Sequence, residues 1–176
     1  MKKILIVVDM QNDFIDGSLG TKEAVAIVDN VVNEIKKDYD LVIATRDTHA
    51  PDYLSTNEGK HLPVEHCIKD SLGWQIRTEV LEAVESHENY QIIDKPTFGS
   101  EKLIEVLKEM DEKEKLEEIS LLGLCTDICV VSNALMVKAA FPEIRVAVKK
   151  DCCAGVTPAS HEAALMTMKM CQIEID

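Results

Sequence analysis

Short apolar runs alternate with amphipathic stretches along the whole chain. Residues 3–9 (KILIVVD) form a brief apolar, partly β-branched run and predict a strand. Residues 22–37 place Ala24, Ile27, Val28, Val31 and Ile35 at helical spacing. Residues 41–45 (LVIAT) predict a second buried strand. Residues 76–85 predict a helix with Ile76, Val80, Leu81 and Val84 on one face. Residues 90–94 (YQIID) predict a third strand, followed by a helix over 101–110 carrying Leu103, Ile104, Val106 and Leu107. Residues 119–124 (ISLLGL) predict a fourth strand, and 129–140 a mostly apolar, buried helix. Residues 145–149 (RVAVK) predict a fifth strand. Pro158 suits the first turn of a last helix running to about Met170. Residues 172–175 close the chain as a short sixth strand.

Strands that alternate with helices imply right-handed βαβ units, hence a three-layer α/β fold with a parallel sheet covered on both faces. Two stretches depart from the alternation. Residues 108–118 (KEMDEKEKLEE) are charge-dense and read as a solvated helix end and loop. Residues 46–74 have no periodicity, and they hold histidines, prolines and the only tryptophan, Trp74. A long irregular segment inside a compact domain is usually functional or disordered.

Composition narrows the classes. A chain of 176 residues is the size of one domain, 1–176, and 46% apolar residues exclude a disordered acidic chain. A net charge of −13 argues against nucleic acid, which requires a basic footprint. No apolar run approaches the roughly 20 residues of a membrane span, and the N-terminus lacks a leader pattern. The six cysteines then read as free thiols in a reducing cytoplasm. Neither Cys125…Cys129 nor Cys152–Cys153 has the spacing of a zinc knuckle.

In an open parallel sheet, ligands bind beyond the carboxyl ends of the strands. Strand one ends in Asp9, then Gln11, Asn12 and Asp13. Strand two leads into Arg46, Asp47 and His49, and strand three ends in Lys95. Strand four leads into Gly123-Leu124-Cys125-Thr126-Asp127-Ile128-Cys129. Each residue alone has an ordinary structural role open to it, such as a packed thiol, a turn carboxylate or a surface lysine. Together they put a carboxylate, an amine and a thiol on one edge of the sheet. Cys129, in the first turn after a strand, has the position of a thiol with a depressed pKa. Asp9 can exchange a proton with it, and Lys95 can stabilise the resulting charge. Asp47 and His49, two apart in extended chain, can reach one cation. His66 or His61 can complete a site suited to Zn²⁺, Mn²⁺ or Fe²⁺.

Four motifs carry a resemblance to a known family. They are Val8-Asp9-Met10-Gln11-Asn12-Asp13-Phe14, Thr45-Arg46-Asp47-Thr48-His49, Asp94-Lys95-Pro96-Thr97-Phe98-Gly99-Ser100 and Gly123-Leu124-Cys125-Thr126-Asp127-Ile128-Cys129-Val130. In this order and spacing, the chain resembles the isochorismatase-like hydrolases, in their nicotinamidase-related cysteine hydrolase branch. The resemblance implies a six-stranded parallel sheet in order 3-2-1-4-5-6. It implies Asp9 as general base and acid, Lys95 as charge partner and Cys129 as nucleophile. It further implies a cis Leu124–Cys125 peptide, with the amides of Cys125 and Cys129 as oxyanion hole. Asp47, His49 and His66 match the metal ligands, with zinc expected and manganese or iron as alternatives, and His61 is expected outside the shell. Phe14 and Leu124 are expected to border the substrate.

The implied activity is hydrolysis of a small carboxamide through a thioester, nicotinamide giving nicotinate and ammonia. The expected partners are a small-molecule amide and further copies of the chain. The rival readings are a metal-independent cysteine hydrolase of another amide or ureido compound (N-carbamoylsarcosine amidase-like), an isochorismatase-type vinyl-ether hydrolase, and a non-catalytic binding protein. One departure stands out. The branch commonly has Trp-Pro-x-His-Cys before the second histidine ligand, where this chain has Leu62-Pro63-Val64-Glu65-His66-Cys67. Trp74 is expected to replace part of that lost aromatic wall.

Overall fold

Six strands span Lys2–Val8 (β1), Leu41–Asp47 (β2), Tyr90–Lys95 (β3), Leu116–Leu124 (β4), Arg145–Ala154 (β5) and Glu174–Ile175 (β6) in the computed structural model, which describes residues 2–176. They pair in parallel throughout, in the order β3-β2-β1-β4-β5-β6. This is the expected fold. Ile4, Leu5, Ile6, Val7 and Val8 are all fully buried, because a central parallel strand has helices over both faces and needs a continuous apolar run.

Among the described residues eight α-helices connect the strands: Asn12–Ile15 (α1), Lys22–Ala26 (α2), Val28–Ile35 (α3), Asn57–His61 (α4), Thr78–Glu85 (α5), Glu101–Lys113 (α6), Val131–Ala140 (α7) and Pro158–Met170 (α8). α2, α3 and α5 pack together on one face, and α6, α7 and α8 on the other. Among the described residues no helix is long and apolar enough to cross a membrane. All six cysteines are free thiols.

Several boundaries differ from the sequence pattern. The helix expected over 22–37 is two helices, broken where Ile27 takes φ −88° and ψ −10°, with α2 capped by the Thr21 side chain. The apolar spacing survives the break, so periodicity alone does not reveal it. The charge-dense stretch is less irregular than expected. α6 continues through Lys113, and β4 already begins at Leu116. β5 continues to Ala154 and takes in Cys152 and Cys153, through a register shift against β4 between Leu121 and Gly123. The segment 46–74 is partly ordered into a 3₁₀ turn at Tyr53–Ser55 and α4.

Crossovers leave β1 and β4 in opposite directions, which opens a crevice at the carboxyl ends of these neighbours. Gly123 permits their close approach. Its φ is +119°, and a Cβ there would lie 2.1 Å from the Val8 carbonyl oxygen. Gly123→Ala is therefore expected to cost about 2 kcal/mol or more, through both the backbone conformation and the clash. Urea unfolding checks this; an unchanged midpoint would contradict it.

Candidate active site

The polar residues after β1 fasten the irregular segment onto the strand ends. Asp9 turns the chain with φ +47°. Its backbone N–H donates to the Thr45 carbonyl at 3.2 Å, and the Thr45 hydroxyl donates to Asp9 Oδ1 at 2.7 Å. Gln11, fully buried, donates from Nε2 to the carbonyls of Asp47 and Trp74, both at 2.8 Å, and accepts the Asp47 N–H at 2.7 Å. Asn12 donates to the Leu72 carbonyl and accepts from Arg77. Asp13 accepts the Cys67 N–H at 2.8 Å, where the chain again takes a positive φ of 47°. One short polar motif thus holds both Asp47 and the backbone beside His66.

Asp9, Lys95 and Cys129 meet as the sequence led one to expect. Lys95 Nζ lies 2.6 Å from Asp9 Oδ2 as an ion pair, although Oδ2 accepts no well-aligned hydrogen bond. The same ammonium donates to the Thr97 carbonyl at 2.9 Å and to Cys129 Sγ at 3.5 Å, and sits 3.6 Å from Asp47 Oδ1.

The electrostatics correct one expectation. Cys129 is not a depressed thiol. Burial, then the Asp9 carboxylate, push it well above the ordinary cysteine range against the pull of Lys95. Burial also raises Asp9, again against Lys95. Burial alone would lower the Lys95 pKa, but Asp9, Cys129 and Asp47 outweigh it and keep the ammonium charged. Asp9 and Cys129 therefore compete for a single negative charge beside one cation. Moving the proton from sulfur to carboxylate leaves the net charge of this buried site unchanged.

Cys129 sits inside a π-helical turn, Thr126–Val130, that precedes α7; an uninterrupted α-helix from residue 129 is not what forms. Such turns recur at functional sites. The Leu124–Cys125 peptide is cis, as the resemblance implied. Burial pushes the Cys125 thiol up to about 12, and unlike Cys129 it has no Lys95 ammonium beside its sulfur among the described residues. Asn133 is a positioning residue that the sequence reading missed. It is fully buried, donates to the carbonyls of Cys129 at 2.8 Å and Phe98 at 3.0 Å, and accepts the Ser100 N–H at 3.0 Å. It ties the loop after Lys95 to the turn that carries Cys129.

A second group of donors adjoins the first. One ligand atom each from Asp47, His49, Glu58 and His66 lies within 4.8 Å of all the others. The predicted trio is therefore brought together, and Glu58 joins it from the first turn of α4. His61 stays outside, exposed, with its ring Nδ1 on the Asn57 carbonyl. The donor set fits a divalent cation. Asp47 Oδ1 is buried with no hydrogen-bond partner. The Val64 carbonyl takes His66 Nδ1–H at 2.8 Å, which turns Nε2 toward Asp47 and Glu58. Burial and the Asp47 charge raise Glu58. A buried carboxylate, Asp47, facing a half-buried one, Glu58, is relieved by a cation between them.

A cavity of about 190 Å³ connects the two groups. Cys129, Cys125 and Leu124 line it together with Asp47, Glu58 and His66. Phe14, Leu19, Leu62, Phe98 and Ile128 supply apolar walls. Phe14 and Leu124, expected to border the substrate, both line this cavity. Trp74 does not. It stacks under the Arg46 guanidinium, 3.8 Å from the ring centroid, and donates its indole N–H to the Thr48 hydroxyl. It braces β2 from outside the cavity, and Phe98 and Leu62 stand where an aromatic wall was sought.

Comparison with known proteins agrees with this geometry. An uncharacterized isochorismatase family protein of Bacillus subtilis is 28% identical, over 94% of this chain and 93% of its own. The nicotinamidase/pyrazinamidase of Mycobacterium tuberculosis is 27% identical, over 98% and 97%. The crystal structure of a Pyrococcus horikoshii pyrazinamidase in complex with zinc superposes with a TM-score of 0.83 at 27% identity, covering 100% of this chain and 99% of that one. A family model described as the isochorismatase domain matches residues 3–175. With sheet order, motif order and extent all in agreement, the chain belongs to the isochorismatase family.

Proposed function

We propose that the protein is a cysteine amidohydrolase that converts nicotinamide to nicotinate and ammonia. The carrying observation is that one cavity is lined by Cys129, by the Asp47, Glu58 and His66 donors, and by apolar side chains. A flat ring carrying one carboxamide suits it, with the amide over Cys129 and the ring nitrogen toward the donors. The names of the similar proteins support this reading.

In the proposed reaction the Cys129 thiol passes its proton to Asp9 as sulfur bonds to the carboxamide carbon. The backbone N–H groups of Cys125 and Cys129 receive the developing oxyanion, where each such donor is typically worth ~10²–10³ in rate. Collapse breaks the C–N bond, and Asp9 protonates the departing ammonia. Water then gives a proton to Asp9 and attacks the thioester, releasing the acid and returning the proton to sulfur. Lys95 stays charged throughout and holds Asp9 in place. Asp47, His49, Glu58 and His66 would hold a divalent ion, zinc by donor type. That ion would supply a Lewis-acid contact to the ring nitrogen.

Ammonia release from nicotinamide, pyrazinamide, benzamide and an N-carbamoyl amino acid, with and without chelator, tests the proposal. Turnover of the ring carboxamides is expected, with KM raised by chelation and restored by Zn²⁺. Turnover of the ureido compound alone, indifferent to chelator, would select the metal-independent rival.

A further inference from the structure

α8 carries a pattern that neither the site nor the core uses. Its inner face buries Ala164, Leu165 and Met168. Its outer face carries an apolar stripe as well. Ala159, Ala163, Met166 and Met170 are all exposed and follow one another at steps of four, three and four residues. Met166 is 68% exposed and Met170 80%. An exposed apolar stripe opposite a buried one is ordinarily covered too, and steps of four and three make the seam of a coiled coil.

We propose that the protein self-associates through this face, two copies packing α8 against α8 antiparallel about a two-fold axis between positions 164 and 165. In that register Ala163 of one copy lies opposite Met166 of the other, and Ala159 opposite Met170. Every layer then sets a small side chain against a large one. Charge selects the same arrangement. Glu162 and Lys169 are exposed, seven residues apart on one flank of the seam. Neither has an ion-pair or hydrogen-bond partner for its side chain among the described residues. The antiparallel register brings Glu162 of each copy beside Lys169 of the other. A parallel pairing would instead stack Met on Met and Ala on Ala and leave both charges unmatched. The contact is isologous, so it closes at a dimer. One helix of 13 residues buries less than the roughly 1,200 Å² of a stable specific interface, so monomer and dimer should exchange at micromolar concentration.

Sedimentation velocity of the full chain, from low to several hundred micromolar, tests this. The wild type is expected to dimerise. Met166→Glu should weaken the dimer about tenfold or more, and Lys169→Glu, which sets like charges together, several-fold. The double variant Glu162→Lys/Lys169→Glu should recover wild-type association, because the pair is restored with its signs exchanged. All these positions are exposed, and circular dichroism confirms that each variant is folded. Should Met166→Glu misfold, the charge pair decides alone. A wild type monomeric throughout, a dimer indifferent to Met166→Glu, or a double variant no better than Lys169→Glu would each overturn the proposal.

Discussion

Replacing Cys129 with alanine is expected to lower amide turnover by about 10⁴-fold or more, because nucleophile, base and charge partner act as one unit. The fold should survive. Cys129 is buried and lines a cavity, and its removal deletes one sulfur without stranding a charge, since Asp9 keeps Lys95 as partner. Ammonia release measures the loss, and thermal unfolding shows that the protein is intact. Turnover near wild type would remove Cys129 from the mechanism. Alkylation reports on the same residue from another side. The exposed Cys171 should react first with iodoacetamide at neutral pH. Cys129 should react slowly and faster as pH rises, because a raised thiol forms its thiolate only under more alkaline conditions. Fastest labelling of Cys129 at neutral pH would show that Lys95 outweighs burial.

That reversal marks where sequence ceases to inform. The position of Cys129 after ISLLGL was legible, and with it the meeting with Asp9 and Lys95, because all three sit at strand ends whose apolar runs are unmistakable. Its protonation was not legible. It depends on how deeply the turn is buried and on a carboxylate far away in sequence. The metal donors divide similarly. Asp47 and His49 announce themselves by alternation at a strand end. Glu58 competes with Asp52, Glu65 and Asp70 in the same irregular segment, and only the Thr56-capped α4 selects it. Asn133 did leave a signal, as a polar residue one helical turn past Cys129 inside an apolar helix. Trp74 shows the opposite hazard. An aromatic in the right segment was assigned to the cavity on composition alone, whereas its N–H and ring face are committed to Thr48 and Arg46.

Removing the lysine should damage the protein more broadly than removing the thiol. Lys95 and Asp9 are buried together, and Asp47 lies 3.6 Å from the same ammonium. Lys95→Met keeps most of the volume but leaves the Asp9 carboxylate with no cation. Breaking one half of a buried pair typically costs about 3–5 kcal/mol. We expect a loss of that order, with turnover reduced by about 10³-fold or more, since Asp9 would hold its proton and no longer act as base. Asp9→Asn/Lys95→Met separates the two effects. It removes both charges, so much of the stability should return, because no Asp9 carboxylate is then left without its cation. Activity should not return, because the base is gone. Denaturant unfolding of the two single variants and the double variant, alongside ammonia release from each, closes the cycle. A double variant less stable than Lys95→Met would mean that Lys95 stabilises the fold through the Thr97 carbonyl and Asp47 instead of through Asp9. Turnover near wild type in Lys95→Met would show that the Cys129–Asp9 proton exchange needs no cation beside it.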